Sequence, residues 1–182
     1  MEASVKERKY KDRYEIVTSV DPRTGREKRS ARYAGEYYRF PDGTAKARAT
    51  WPGAAVALYW LLALVYLRFG RATSHCIYAL PPFLIGLVPG FYALMGLFTL
   101  LRAPERMTVV QRENGPGRLT RSSLGCGVFG ALGAAGGAVF LTLSGQWAAG
   151  WVDALLMVGA AACAWCGFAV SRRIYHSMEK IG

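Results

Sequence analysis

Charged residues are missing from long parts of this sequence. Of its 182 residues, 23 are Lys or Arg and 12 are Asp or Glu, yet 13 of the basic and eight of the acidic ones lie in residues 1–50. The other 132 residues hold only ten basic and four acidic side chains. Soluble domains cover their surface with charge, whereas membrane proteins keep charge outside the bilayer. The distribution therefore disfavours a soluble globular domain.

Four stretches without interior charge are each about 20 residues long, enough to cross ~30 Å of hydrocarbon. The third uncharged run, residues 122–152, is too long for one crossing, and Ser-Gly-Gln at 144–146 divides it. The sequence predicts an all-α membrane protein, a bundle of four transmembrane helices. We place these helices at 51–69, 76–101, 124–143 and 153–171, within a membrane domain that spans 51–171.

A cleavable signal peptide is not visible, because the first 50 residues are polar throughout. Lys and Arg in short loops mark the cytosolic side. The region 1–50, the loop 102–123 and the tail 172–182 are all basic. Four crossings place these three segments on one side, so we expect both termini in the cytosol and the protein in the plasma (inner) membrane. Arg68 and Arg71, between the first two helices, oppose this assignment but are outnumbered.

Tryptophan supports the same boundaries, since it is enriched at membrane interfaces. Three tryptophans lie near expected helix ends: Trp51, Trp147 and Trp151.

The polar region 1–50 has β character. Residues 14–20 and 27–40 are rich in β-formers, and turn residues follow each segment at 21–25 and 41–43. We expect a β-hairpin or a three-stranded meander that continues into residues 44–50 and packs on the loop 102–123. Within that loop, the segments flanking Glu-Asn-Gly-Pro-Gly at 113–117 could form another hairpin. Tyrosines among basic residues could bind nucleic acid, but a basic tail beside anionic lipid explains the charge better.

Recognisable catalytic motifs are lacking: there is no phosphate-binding loop, nucleophile elbow or metalloprotease helix. One short motif stands out, Cys163-Ala-Trp-Cys166. It is similar to the thiol pair of membrane thiol oxidoreductases built on four helices, and the similarity extends no further. Residues three apart on a helix have Cβ atoms ~5–6 Å apart, whereas a disulfide needs ~3.5–4.5 Å. A metal site that also used Cys126 and His176 would lack the paired spacing of structural zinc ligands. We therefore expect no metal and no cofactor.

Ionisable residues inside the expected helices are also few. Asp153 and Arg68 lie at helix ends, from which both are expected to reach the interface by snorkelling. Ion-coupled transport normally uses a buried charge, so this mechanism is disfavoured. Pro89 should kink the second helix, a feature that lines some transport sites, and this keeps a small transporter or pore subunit as an alternative.

Small residues form a stripe on each of the last two helices. In a bilayer, helices associate through close packing, which small side chains permit. We predict that the two stripes face each other and that the cysteines in them have a packing role. The packing residues are Cys126, Gly130, Gly133 and Gly137 on the third helix, and Gly159, Ala162, Cys163 and Cys166 on the fourth.

The resulting functional hypothesis is a membrane protein without catalytic activity: a subunit, scaffold or accessory component that acts through its cytosolic face. Its expected contacts are the lipid bilayer and a membrane or cytosolic protein partner, or a second copy of itself. A transporter or pore subunit is the first alternative, and a thiol oxidoreductase that uses Cys163 and Cys166 is the second.

Overall fold

The structure, a computed structural model, describes residues 14–20, 27–41, 45–70 and 72–181. Four long helices dominate it, with short strands before, between and after them. The helices are α1 Ala45–Phe69, α2 Leu80–Leu101, α3 Val109–Arg112, α4 Arg118–Ser144 and α5 Trp147–His176. The strands are β1 Tyr14–Val20, β2 Glu27–Tyr33, β3 Tyr37–Arg39, β4 Met107–Thr108 and β5 Glu179–Ile181.

The four long helices are long and apolar enough to cross a membrane. They run up and down, and each packs mainly on two neighbours, in the order α1, α2, α4, α5 and back to α1. Glycines sit at these contacts, because a bare backbone lets two helices approach closely. Examples from the four interfaces are Gly53 against Leu97, Gly86 against Phe129, Gly130 against Ala161 and Gly167 against Ala55.

Two groups of buried side chains fill the bundle. One occupies its middle and the end near the loop between α1 and α2, which we call the loop end; its large members are Tyr59, Tyr66, Phe83 and Met157. The other lies at the opposite end, beside β3, β4 and β5, which we call the sheet end. Its members include Phe40, Leu100, Met107, Leu119, Ile174 and Met178.

The helices extend beyond the uncharged stretches at several ends. Helix α1 begins at Ala45, six residues before the expected start, so the β-structure expected for residues 44–50 is wrong there. Ala-Lys-Ala-Arg-Ala favours a helix, and Ala49 is buried in the sheet-end core. Helix α5 begins at Trp147, two residues after a left-handed Gly145, so only Gly145 and Gln146 connect α4 to α5. Hydrophobicity marks the apolar part of α1 and misses its polar first turns, whereas the missed start of α5 is apolar and precedes the charge of Asp153.

Helix α2 begins at Leu80, later than expected. Residues 76–79 form a turn before it, and Pro81 and Pro82 occupy its first turn, where their missing N–H groups have no partner to lose. Pro89 lies inside the helix, as expected.

The N-terminal strands form a hairpin but not a meander. Strands β1 and β2 pair with each other in an antiparallel, two-stranded sheet, from Tyr14 opposite Tyr33 to Val20 opposite Glu27. Strand β3 belongs to a second sheet, of order β4-β3-β5. The expected turn at 21–25 and most of the one at 41–43 lie outside the described residues.

The second hairpin expected in the loop between α2 and α4 is wrong. Thr108 caps α3 with its hydroxyl, and the Gln111 side chain accepts in return from the Thr108 N–H. The chain then continues through a π-helical turn, Glu113–Gly117, directly into α4. This reciprocal capping box is readable in Thr-Val-Val-Gln, a helix-start signal that outweighs the turn residues after it.

Candidate functional site

The predicted small-residue face of α4 lies inside the bundle. Cys126, Gly130, Gly133 and Gly137 are all buried. A methyl group at Gly130 would lie 3.2 Å from the Ala161 Cβ atom, and one at Gly133 would lie 3.0 Å from the Met157 Cε atom. At Gly133 it would also meet helix α2. This face of α4 therefore packs against α2 and α5 together.

The four α5 residues that were predicted to pack against α4 lie in different environments. Gly159 is half-buried and points to Leu62 of α1, and Cys163 is half-buried. Ala162 and Cys166 are exposed on the outside of the bundle. Helix α5 instead buries a neighbouring face against the other helices: Asp153, Met157, Ala160, Ala161, Ala164, Gly167 and Ser171.

The sequence identifies that neighbouring face through its polar residues. Asp153 and Ser171 share it, and a polar residue on an apolar helix normally faces the bundle interior. The Trp165 indole lies on α4, 3.1 Å from where a Cβ atom of Gly127 would be. The indole thus covers α4 from the outside.

A narrow recess lies near the middle of the bundle, and all four long helices contribute to it. Its lining includes Tyr59, Ser123, Cys126, Cys163 and the backbone of Gly167. The Tyr59 hydroxyl donates to the carbonyl oxygen of Gly86 over 3.1 Å. The recess has room for about one water molecule. Transport through this recess would therefore require the helices to separate.

The two thiols of the Cys-Ala-Trp-Cys sequence have different surroundings. Cys163 lines the recess, whereas Cys166 is exposed on the outer surface, and both are free thiols. Cys126, on α4, lines the same recess as Cys163. Among the described residues, no group of three or more metal-ligating side chains converges. Cys163 therefore shares the recess with Cys126 of α4 and not with Cys166, its neighbour in the sequence.

Asp153 is held at the loop end and does not snorkel. Only 4% of its surface is exposed. One carboxylate oxygen accepts three hydrogen bonds, from the Ala72 N–H at 3.0 Å, the Thr73 N–H at 3.1 Å and the Thr73 hydroxyl at 3.2 Å. The Tyr66 hydroxyl lies 3.1 Å from the same Thr73 hydroxyl. The carboxylate therefore fixes the loop between α1 and α2 to α5.

At the sheet end, three distant segments of the chain join in one structure, which we call the cap: residues 33–41, 107–117 and 174–181. Strand β3 is its central strand and pairs with β4 on one side and β5 on the other. Phe40, which follows β3, is buried in the bundle core. An ion pair between Lys180 and Glu36, 2.6 Å long, joins the ends of two segments. The cap is thus continuous with the helical core.

Arg112 lies at the centre of the cap, between two aromatic rings. Its guanidinium carbon is 4.3 Å from the Tyr38 ring centroid and 4.1 Å from that of Tyr175. It also donates to the Tyr175 carbonyl oxygen over 3.2 Å. Each of the three residues belongs to a different cap segment, so this one cation connects all three. Nothing in the sequence indicates that these three residues contact one another.

Comparison with protein-family models found no match, and neither did comparison with curated proteins or with solved structures.

Proposed function

We propose that the protein spans a membrane with its four long helices and that the cap lies on the cytosolic side. The exposed surface between the two ends is strongly apolar, with leucine side chains on all four long helices and valine or aromatic side chains beside them. Trp151 and Arg172 bound this band on α5, and 21 residues of helix separate them by about 31 Å. That length matches the ~30 Å hydrocarbon core.

The orientation rests on the basic residues. Five arginines lie between α2 and α4 or at the start of α4, and three basic residues follow position 171. All of these belong to the sheet end, which the Lys and Arg rule assigns to the cytosol.

Within this arrangement, the protein acts as a non-catalytic subunit or adaptor that binds a protein partner through the cap. The observation that carries this proposal is the ribbon formed by β1 and β2. Seven residue pairs make it about 23 Å long. An isolated two-stranded hairpin is only marginally stable in water, and a third strand would stabilise it. Among the residues that the structure describes, no third strand pairs with the ribbon, so its edges offer backbone groups to a partner strand, the β-augmentation mode of recognition.

The base of the ribbon contacts the cap through the Tyr33 side chain. Tyr33, at the end of β2, stacks edge-to-face on Tyr14 and Tyr37, with ring centroids 5.3 and 5.2 Å apart. Its hydroxyl donates to the Glu36 carbonyl oxygen over 3.0 Å and accepts from the Val109 N–H over 3.4 Å. The ribbon is therefore anchored at the cap through one tyrosine.

The experiment is chemical crosslinking in native membranes, followed by purification and mapping of the crosslinked peptides. Deleting residues 1–32 removes the ribbon and retains Tyr33 and β3, so the cap should still fold. We expect one partner to crosslink to the ribbon reproducibly and to be lost from the deletion variant. Crosslinks that map only to the helices, or that are unchanged by the deletion, would contradict the proposal. Crosslinks between two copies of the chain would show a homo-oligomer and would contradict the adaptor role.

A further inference from the structure

The two strands of the ribbon differ in charge. Strand β1, Tyr-Glu-Ile-Val-Thr-Ser-Val, holds one acidic residue and no basic one. Strand β2, Glu-Lys-Arg-Ser-Ala-Arg-Tyr, holds three basic residues and one acidic one. Within the part of the chain that the structure describes, the two strands form a sheet of their own, so each has an outer edge. The β2 edge is therefore the basic edge of the ribbon, and the β1 edge is weakly acidic.

The register shows which basic positions of β2 are matched by an acidic residue of β1. Arg32 lies opposite Glu15, whereas Lys28 lies opposite Ser19 and Arg29 lies opposite Thr18. Residues directly opposite on neighbouring strands share a face of the sheet, and opposite charges at such positions stabilise the pair. Positions 28 and 29 are therefore the two successive basic positions of β2 whose register partners in β1 are neutral.

Two successive cations at a strand edge restrict what can pair with that edge. A third strand beside β2 places one residue opposite each cation, with Cβ atoms about 4.5–5.5 Å apart. Like charges at this distance are destabilising, which disfavours a second copy of the basic β2 as the added strand. A bilayer surface attracts cations as well, but it presents no row of backbone groups in the register of a strand. Charge and backbone together favour an acidic strand.

We propose that the outer edge of β2 binds an extended segment of the partner protein, and that this segment carries two successive acidic residues opposite Lys28 and Arg29. The segment extends the ribbon to three strands. Its two carboxylates lie on opposite faces of the sheet, as do positions 28 and 29, because successive side chains on a strand alternate. Backbone hydrogen bonds provide affinity, and the two charge pairs provide selectivity. The inference rests on the proposed adaptor role and names the chemistry of the partner.

The test measures peptide binding to the purified full-length protein in nonionic detergent by fluorescence anisotropy. The probes are three labelled peptides, Thr-Val-x-x-Val-Thr, in which both central residues are Glu, Gln or Lys. A fourth probe is the Glu peptide with methylated backbone nitrogens, which keeps the charges but cannot extend a sheet. The test variant is Lys28→Gln with Arg29→Gln. The matched control, Arg102→Gln with Arg106→Gln, removes two exposed arginines between α2 and β4 and lowers the net charge equally.

A second ribbon variant supplies the two carboxylates from β1. Thr18→Glu with Ser19→Glu puts an acidic residue opposite Arg29 and another opposite Lys28, while both cations stay in place. This variant should lose selectivity for the Glu peptide as the first one does. Loss of selectivity in both variants depends on charge, because the two substitutions alter different strands.

We expect the Glu peptide to bind the unaltered protein and the control about tenfold more tightly than the Gln peptide, which corresponds to about 1.4 kcal/mol. The Lys peptide should bind most weakly, and the ratio of the Glu and Gln affinities should fall to about one in both ribbon variants. No binding of the Glu peptide, or equal binding of the three peptides to the unaltered protein, would overturn the proposal. Retention of the tenfold ratio in the test variant would overturn it too.

Two further outcomes would assign the cations to another role. Undiminished binding of the methylated probe would show ionic attraction without strand addition. Displacement of the Glu peptide by phosphatidylglycerol, but not by phosphatidylcholine, added to the micelles would assign the two cations to the bilayer surface. Either result would overturn the proposal.

The adaptor role is checked separately by crosslinking in native membranes with the Lys28→Gln, Arg29→Gln variant. A partner that crosslinks to the ribbon of this variant as well as to that of the unaltered protein refutes only the acidic segment. Absence of any ribbon crosslink from the unaltered protein refutes the adaptor role itself.

Discussion

Replacing Asp153 with alanine tests whether one buried carboxylate holds the loop end together. The side chain is nearly inaccessible and accepts hydrogen bonds from two backbone N–H groups and one hydroxyl. Alanine removes all three interactions at once. The Thr73 hydroxyl keeps the Tyr66 hydroxyl as a partner, whereas the two N–H groups in the loop lose the acceptor that fixes them.

The expected cost follows from the two backbone donors. A buried donor left without a partner costs about 1–3 kcal/mol. Thr73 is fully buried and Ala72 half-buried, so the second donor recovers part of this by hydration. The sum is about 2–4 kcal/mol for Asp153→Ala. Asp153→Asn keeps a carbonyl oxygen of similar shape as the acceptor and loses the charge assistance, which should cost about 1–2 kcal/mol.

The assay is unfolding in mixed detergent micelles, followed by far-ultraviolet circular dichroism. Proteolysis with chymotrypsin, which cleaves after Tyr78, reports on the loop itself. Asp153→Ala should lower the free energy of unfolding more than Asp153→Asn does and should accelerate cleavage. Glu105→Ala is the control, because that carboxylate is exposed at the opposite end. If Asp153→Ala were as stable as the control, the carboxylate would not be the structural anchor described above.

Three further predictions concern the bundle, the cap and the orientation. Gly133→Leu should destabilise the bundle by about 3 kcal/mol or more, since an added side chain meets Met157 and α2 at about 3 Å; thermal unfolding should show no such loss for Ala135→Leu, which is exposed. Arg112→Met should cost about 3 kcal/mol by losing two ring contacts and a hydrogen bond, and faster proteolysis of the cap is the readout; an unchanged digestion pattern would remove Arg112 from its central role. Cys76 is buried, so His75→Cys, at an exposed position, is the better topology probe. A membrane-impermeant maleimide should label it on intact cells but leave the unaltered chain unlabelled, and labelling only after permeabilisation would reverse the orientation.

Part of the helix pairing was predictable from residue size. On α4, Gly130, Gly133 and Gly137 recur at intervals of three and four residues, and this spacing identifies the buried side. On α5, small residues surround the helix between Gly159 and Gly167, and size therefore selects no face. Ala161 is buried and Ala162 is exposed because of how the neighbouring helices pack and because Asp153 is buried on the same face as Ala161. Polarity was the more informative signal on this helix.

The segment between α2 and α4 was predicted wrongly because its glycines and proline were interpreted as turn residues. Asn-Gly-Pro-Gly has the residues of a tight turn, yet it is helical here. Its small residues serve close packing: Gly115 lies near the Leu100 backbone, and Gly117 lies against the Tyr175 ring. Local turn chemistry and tertiary packing both favour glycine, so glycine alone does not distinguish them.

By itself, the sequence determined that four long apolar helices form, because uncharged runs of about 20 residues have few other stable conformations. It also determined that the polar N-terminal region carries β-strands, through the residues of β1 and β2. Only the tertiary structure decided that β3 pairs with strands about 70 and 140 residues away and that Arg112 joins Tyr38 to Tyr175. Two or three residues carry no local signal strong enough to specify such partners. Their pairing follows from the helices, which bring the three chain segments to the same end of the bundle.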